Sequence, residues 1–206
     1  KNEHSVTYEN VQARARNSIL MNMSNKEGGL VIGTGDLSEI ALGWSTYNGD
    51  HMSMYALNSG IPKTLIQYVI EYFKSNKEIA DIIDDILDTP ISPELLPHDG
   101  DEIVQETENI VGPYELHDFF LYHFIKYGAK PSKILHLATI AFDTKYDEET
   151  INKWLKLFLR RFFTQQFKRS CMPDGPKVGT ISLSPRADWK MASDVDFEVW
   201  LEELDK

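Results

Sequence analysis

Apolar positions along this chain mostly follow the spacing of helices, and one short stretch departs from that spacing. Leu30 to Ile32 is a continuous apolar run, Gly33 and Gly35 follow it, and a periodic apolar pattern then resumes up to Tyr47. A continuous run of this kind suits a strand covered on both faces, as in a parallel α/β sheet, and the glycines suit a tight turn. This stretch is therefore predicted to be a buried strand, a turn and a helix.

Six other segments have apolar residues at intervals of three or four, which is typical of amphipathic helices. Asp147 is a good N-cap for the clearest of them, and Pro62 and Pro131 stand at the start of two others. Residues 89–109 are predicted to be a polar connection, and residues 171–196 a long ordered loop of the kind that is usually functional. The predicted helices are residues 8–25, 62–73, 75–88, 115–127, 131–142 and 147–167, with a last helical turn or two at 197–204.

Together these elements predict an α/β protein that is predominantly helical and has few parallel strands. The G-x-G formed by Gly33 and Gly35 is not a dinucleotide-binding fingerprint, because Ser38 stands where the third glycine would fall.

Composition narrows the classes of partner. Lys and Arg number 21 and Asp and Glu 32, so the net charge is -11, which argues against a general nucleic-acid or anionic-membrane surface. The single cysteine, Cys171, rules out an internal disulfide framework and fits a reducing compartment. No apolar run approaches the ~20 residues of a membrane span, and the N-terminus lacks the apolar core of a signal peptide. We therefore expect a cytoplasmic protein, and because it begins at Lys1 rather than Met, a fragment or a processed product.

Basic residues nevertheless cluster around the end of the predicted helix 147–167. Arg160 and Arg161 lie in its C-terminal half, and Lys168 and Arg169 lie just beyond it. Favourable interaction with a helix C-terminus is one explanation, and docking of ligand phosphates is the other. Lys63, in the first turn of another helix, is unfavourable with the helix dipole, so an anionic partner explains it better than solvent does.

Other candidate groups complete a possible nucleotide site. Glu39 is a hard oxygen ligand suited to Mg²⁺, and the rings of Trp44 and Tyr47 suit stacking on a flat base. The acidic residues at 84, 85 and 88 match a Mg-diphosphate motif of prenyl-transferring enzymes, but the second such motif is missing, and the solvated face of an amphipathic helix is the preferred explanation. Cys171 is interpreted as a spectator thiol, because the sequence places no His or Asp partner near it.

Several stretches resemble the glutamine-dependent NAD synthetase family, in the family's order and over nearly the whole chain. They are YENVQAR from Tyr8, GTGDLSEIALGWSTYNGD from Gly33, GIPKT from Gly60, SPEL from Ser92, VGPYELHDFFLYH from Val111, FTQQFKRSCMPDGPKVG from Phe163 and LSPRADWKMASD from Leu183. The resemblance implies a Rossmann-like adenine nucleotide alpha hydrolase fold, the PP-loop ATPase type, of which this chain is a predominantly helical part.

Members of that family use ATP to adenylate the carboxylate of nicotinic acid adenine dinucleotide (deamido-NAD), and ammonia from a glutaminase domain then displaces AMP to give NAD. By resemblance, Glu39 binds Mg²⁺ and acts in catalysis with Lys63. The residues implied to bind ATP are Thr34, Lys63 and Ser92. Those implied to bind deamido-NAD are Asn10, Glu39, Trp44, Ser45, Thr46, Tyr47 and Lys168. A homo-oligomer is also expected.

Two departures from the family pattern shape the expectations. The Ser-Gly-Gly-x-Asp-Ser loop that cradles pyrophosphate is absent from these residues, and so is the glutaminase domain. We therefore expect residues 1–206 to be the C-terminal part of the synthetase domain and to be unable to make NAD alone. The alternative is a non-catalytic piece that binds the dinucleotide and contributes to oligomerisation. The second departure is Met54, which stands where the short, ammonia-dependent members of the family carry an acidic residue.

Overall fold

The structure is a computed structural model that describes residues 5–89, 91 and 107–206. Within these residues it contains ten α-helices, two short 3-10 turns and one two-stranded parallel sheet, so the prediction of a mainly helical α/β chain with few parallel strands is confirmed. The helices are α1 Val6–Glu27, α2 Leu37–Leu42, α3 Lys63–Tyr72, α4 Ala80–Asp88, α5 Thr107–Val111, α6 Tyr114–Tyr127, α7 Pro131–Ala141, α8 Glu148–Thr164, α9 Gln166–Arg169 and α10 Glu198–Glu202. The strands are β1 Ile32–Gly33 and β2 Tyr55–Ala56, and the 3-10 turns are Phe73–Ser75 and Glu203–Asp205.

Helices α6, α7 and α8 pack against one another and form the centre of the core. The side chain of Asp147 caps α8 by accepting a hydrogen bond of 2.7 Å from the backbone N–H of Thr150, as predicted. The imidazole of His117 is buried in this core, and burial lowers its pKa to about 4. Its Nε2 lies 2.5 Å from the carbonyl of Val111, so this histidine is part of the packed core. The buried apolar face of α8 consists of Ile151, Leu155, Phe158, Leu159, Phe162 and Phe163.

The predicted strand is present but short. β1 pairs in parallel with β2, with Ile32 opposite Tyr55 and Gly33 opposite Ala56. Ile32 is 48% exposed, so the expectation of a strand covered on both faces is wrong for this part of the chain. A Cβ at position 33 would come within 2.4 Å of the hydroxyl of Ser53, so the close approach that calls for glycine there is to the chain itself.

α2 follows this strand, as the strand-turn-helix pattern predicts. Its first turn is a reciprocal capping box: Asp36 Oδ1 accepts from the N–H of Glu39 at 2.9 Å, and Glu39 Oε2 accepts from the N–H of Asp36 at 3.2 Å. The helix ends at Gly43, whose φ of 59° is left-handed, and a Cβ there would lie 2.3 Å from Cβ of Gln165. Because α2 packs between α6 and α8, both of its ends are fixed by the rest of the fold.

Two helical predictions are right in position and wrong in detail. α1 forms, but its apolar residues Val11 and Ile19 are 59% and 62% exposed, and Ala13 is its only buried residue. α4 forms, but it begins at Ala80 rather than at residue 75, and its N-cap Ile79 has no side-chain hydrogen bond. None of the helices in the described ranges is long and apolar enough to cross a membrane.

Candidate functional site

A cleft of about 570 Å³ lies where α1, both ends of α2 and the α8–α9 junction come together. Eight of the ten predicted site residues line it: Asn10, Thr34, Glu39, Trp44, Ser45, Thr46, Tyr47 and Lys168. These residues come from three distant segments of the chain, so the fold brings together what the motifs predicted separately.

The other two predicted residues are Ser92 and Lys63. Ser92 lies outside the described residues. Lys63 contacts the cleft indirectly, because its Nζ is 2.9 Å from Oε1 of Glu39 and 2.7 Å from Oδ2 of Asp36. The anionic partner expected for Lys63 therefore exists, and it consists of two carboxylates of the protein.

Glu39 and Lys63 perturb each other's pKa. Burial raises the pKa of Glu39 to about 7, the charge of Asp36 adds to the rise, and Lys63 opposes it. Burial alone would lower the pKa of Lys63, but Asp36 and Glu39 raise it above its usual value. The ammonium group is therefore a fixed positive charge next to a carboxyl group that holds its own charge weakly.

Asp118 of α6, which the sequence did not single out, fixes the start of α3. Its Oδ2 accepts hydrogen bonds from Thr64, at 3.1 Å from the backbone N–H and 2.7 Å from the hydroxyl. Its Oδ1 accepts from the hydroxyl of Ser38, and Ser38 in turn accepts from the N–H of Lys63 at 2.8 Å. The N-terminus of α3 has no cap of its own, so residues of α2 and α6 satisfy it and thereby place Lys63.

Three basic side chains converge on the C-terminal end of α2. Arg161 donates from Nε to the carbonyl of Leu42 at 2.9 Å, and Lys168 donates to Gly43 and Ser45 at 2.7 and 2.6 Å. The guanidinium of Arg169 is 1% exposed and donates to carbonyls at both α2 and α8. Of the two explanations for this basic cluster, the structure supports helix capping, although the helix concerned is α2 rather than α8.

The segment Trp44 to Tyr47 forms one wall of the cleft and is held from both sides. The guanidinium of Arg161 lies 5.1 Å from the Trp44 ring, and Arg14 of α1 donates to the carbonyl of Tyr47 at 3.1 Å. The Thr46 hydroxyl donates to Oδ1 of Asn10 at 2.9 Å. Asn10 and Thr46, both predicted to contact one dinucleotide, are thus neighbours in the fold.

His51 and Cys171 also meet beside this wall. The His51 ring stacks on Tyr47 at 5.4 Å, and its Nε2 lies 3.4 Å from the sulfur of Cys171. The backbone N–H of Asn48 donates to Nδ1 of His51 at 3.1 Å, so the neutral ring carries its proton on Nε2 and donates it to the sulfur. The histidine partner was missed because 120 residues separate the two side chains.

The cleft is more basic than the chain as a whole. Among its described lining residues, Arg14, Arg16, Arg161, Lys168 and Arg169 oppose Glu9, Glu39 and Asp50. Five positive and three negative side chains leave an excess of two positive charges in a chain of net charge -11. That imbalance favours an anionic ligand.

The acidic groups fit a metal ion that arrives with phosphates better than one held by protein alone. The part of the chain that the structure describes contains no group of three or more His, Cys, Asp or Glu able to hold a metal ion. Mg²⁺ commonly takes one or two protein carboxylates together with substrate phosphates, and Glu39 on the cleft wall can supply one. The prenyl-diphosphate alternative is wrong, since α4 offers no such group and its Asp84 pairs with Lys74.

Comparison with known proteins gives a consistent result. A family model described as NAD synthase matches residues 1–169. The glutamine-dependent NAD(+) synthetase of Mycobacterium leprae is 43% identical over 226 residues, covering 98% of this chain and 33% of the relative. That of Thermotoga maritima is 31% identical over 189 residues, covering 92% of this chain and 30% of the relative.

A solved structure shares the fold. A crystal structure of a glutamine-dependent NAD(+) synthetase from Cytophaga hutchinsonii matches with a TM-score of 0.77 and 21% identity, covering 100% of this chain and 31% of that one. The chain therefore spans about a third of the length of the relatives that it matches.

Proposed function

This chain belongs to the NAD synthase family, and from that membership we propose that it takes part in the ATP-dependent amidation of deamido-NAD to NAD. In this proposal the cleft holds deamido-NAD along the segment Trp44 to Tyr47, and ATP meets it at the end formed by Thr34 and Glu39, with Lys63 in contact with Glu39. Ammonia comes from a glutaminase domain. The finer fold assignment, a PP-loop type of Rossmann-like domain, belongs to the proposal and is supported by the parallel pairing of β1 and β2, which stand on either side of α2 in the chain.

One observation carries the proposal: eight residues predicted from separate motifs line a single basic cleft. A dinucleotide and ATP both carry phosphates, so the excess positive charge suits them. The ring of Trp44 and the backbone-anchored Tyr47 give flat apolar surfaces for a pyridine or adenine ring.

The residues of this chain would act mainly by position and charge. A carboxylate becomes a good acyl donor only when its oxygen joins a leaving group, so adenylation must bring two polyanions together. Lys63 supplies a fixed positive charge beside Glu39, where those anions would meet. An Mg²⁺ ion carried by ATP would screen the phosphates, with Glu39 as a protein ligand. Lys168 holds the wall by two backbone carbonyls and has one further N–H for the dinucleotide.

Calorimetry with deamido-NAD tests the binding half of the proposal. Replacing Trp44 by Ala should weaken binding about tenfold, because stacking on an aromatic face contributes about 1–3 kcal/mol per base. Tyr127→Ala removes an exposed ring that does not line the cleft and should leave the affinity unchanged. Equal affinities for the two variants would contradict the proposed wall.

Titration of ATP with and without Mg²⁺ tests the other half. The Glu39→Gln variant keeps the size of the side chain and an acceptor for the N–H of Asp36, but it loses the charge that a metal needs. We expect Mg²⁺ to strengthen ATP binding to the unchanged chain and to do so much less in this variant. An equal Mg²⁺ effect would favour the alternative of a dinucleotide-binding piece without catalytic residues.

A further inference from the structure

Two buried hydroxyl groups that line the cleft have no hydrogen-bond partner in the described part of the protein. Five buried side-chain polar atoms in this part lack one: Ser53 Oγ, Tyr114 Oη, His117 Nδ1, Asn152 Oδ1 and Trp189 Nε1. Only Ser53 and Tyr114 among these residues line the cleft. Because an unpaired buried polar group is costly, both hydroxyls need an acceptor or donor that the cleft contents can supply.

Tyr114 is held firmly in place. It is the first residue of α6, and its N–H donates to Oε1 of Glu108 at 2.9 Å. The preceding turn depends on Gly112, which has a φ of 90° and packs so closely on Trp154 that a Cβ would come within 2.5 Å of the indole. The ring is 2% exposed, so little of the phenol can move without disturbing the core.

The ring also belongs to the charged group around Lys63. The ammonium nitrogen of Lys63 lies 5.0 Å from the ring centroid, within the range of a cation–π contact. The same ammonium is bonded to Asp36 and Glu39, and Glu39 lines the cleft. Tyr114 is therefore a buried neighbour of the end of the cleft to which the proposed function assigns ATP.

The phenol remains protonated at this place. Burial raises the pKa of Tyr114, and the negative charges of Glu39, Asp36, Glu108 and Asp118 raise it further. The phenol is thus a neutral hydrogen-bond donor that needs an acceptor oxygen. Both carboxylates nearest to the Lys63 ammonium already accept hydrogen bonds from other groups.

We propose that the Tyr114 hydroxyl is a ligand contact that donates a hydrogen bond to an anionic oxygen of the nucleotide bound in the cleft. The proposal rests on the proposed function and adds to it a residue that none of the motif assignments included. The acceptor is a phosphate oxygen or the carboxylate of the dinucleotide, and the two are separated by testing ATP and deamido-NAD independently.

Calorimetry on Tyr114→Phe, which removes only the hydroxyl, tests this contact. A hydrogen bond to a charged acceptor is worth enough that the variant should bind one of the two ligands roughly tenfold to hundredfold more weakly. A loss for ATP alone assigns a phosphate, and a loss for deamido-NAD alone assigns the dinucleotide. Tyr146→Phe is the matched control, since Tyr146 donates its hydroxyl to Glu115 and does not line the cleft.

Other results would overturn the assignment. Unchanged affinity for both ligands would mean that the hydroxyl is satisfied by an internal water. A tenfold or greater rise in the unfolding equilibrium constant of Tyr114→Phe, relative to the unchanged chain in urea, would reveal a hydrogen-bond partner within the protein. If the unchanged chain binds neither ligand, the proposed function fails, and the contact fails with it; if it binds and Tyr114→Phe binds equally well, only the contact fails.

Discussion

Replacing Arg169 by Met should destabilise the protein strongly, although Arg169 lies beside a cleft that favours anions. Its guanidinium is 1% exposed and has no carboxylate partner among the described residues. Instead, Nη1 donates to the carbonyls of Ile40 and Ala41 at 3.3 and 2.9 Å, Nη2 donates to Phe162, and Nε donates to Gln166 at 2.9 Å. The variant removes all of these donors at once.

The magnitude follows from two opposing effects. The carbonyl of Ile40 keeps a hydrogen bond from the N–H of Gly43. Each buried acceptor left without a donor costs about 1–3 kcal/mol, which for the carbonyls of Ala41 and Phe162 gives a loss of roughly 2–6 kcal/mol. Burial lowers the pKa of Arg169 to about 9, so removing a charge that is costly to bury returns part of that loss. We expect a net loss of about 2–4 kcal/mol, a large fraction of the stability of a typical domain.

Urea unfolding followed by circular dichroism measures this loss. Arg160→Met is the control, because Arg160 is exposed and lies 5.9 Å from the Phe197 ring, a contact worth about 0.5–1 kcal/mol. Arg169→Lys should recover part of the stability, since an ammonium can still donate to some of the carbonyls. A loss below about 1 kcal/mol in Arg169→Met, combined with much weaker nucleotide binding, would refute helix capping and restore phosphate docking.

Two further predictions concern groups that position the site. Asp118→Asn leaves one acceptor oxygen for the hydrogen bonds that Ser38 and Thr64 now donate, so the variant should lose about 1–3 kcal/mol of stability in urea unfolding. The control Asp143→Asn, at an exposed position, should lose less than about 0.5 kcal/mol. Equal losses would show that Asp118 does not fix the start of α3. Burial and the charge of Arg161 lower the pKa of Lys168 to about 8 from 10.5. Between pH 8 and 10.5 the side chain of Lys168 therefore holds more protons in the unfolded chain than in the native one. The stability of the unchanged chain relative to Lys168→Met should then rise with pH, by at most about 1.4 kcal/mol per pH unit. A stability difference that stays flat or falls over this range would contradict the lowered pKa of Lys168.

Local sequence patterns predicted the elements that have strong local causes. α8 has a capping aspartate and an uninterrupted apolar period, and α6 ends at a glycine in the left-handed region. The bounds of α6 were therefore predicted to within one residue and those of α8 to within three. β2 was missed because a two-residue strand is too short to show alternation. The exposure of the α1 stripe was not predictable either, since periodicity shows which residues share a face but not what covers that face.

The site was predicted by motif resemblance and not by local pattern. The motifs named the lining residues, and the fold placed eight of them in one cleft. The groups that hold those residues were missed because their contacts join distant parts of the chain. Asp118 meets Ser38 across 80 residues, and Arg169 meets Ile40 across 129. Whether a basic residue binds a ligand or caps a helix depends on such contacts, which a single sequence does not reveal.

The length of α2 has a consequence for what the cleft can accept. The helix has six residues, so its axis measures about 9 Å, and its two ends belong to different halves of the cleft. The acids with Lys63 stand at one end, and the wall that begins at Trp44 stands at the other. The length of α2 therefore fixes the distance between the groups that bind at the two ends of the cleft. Adding one residue would lengthen it by about 1.5 Å and rotate everything after it by roughly 100°, so the spacing should tolerate substitutions but no insertions.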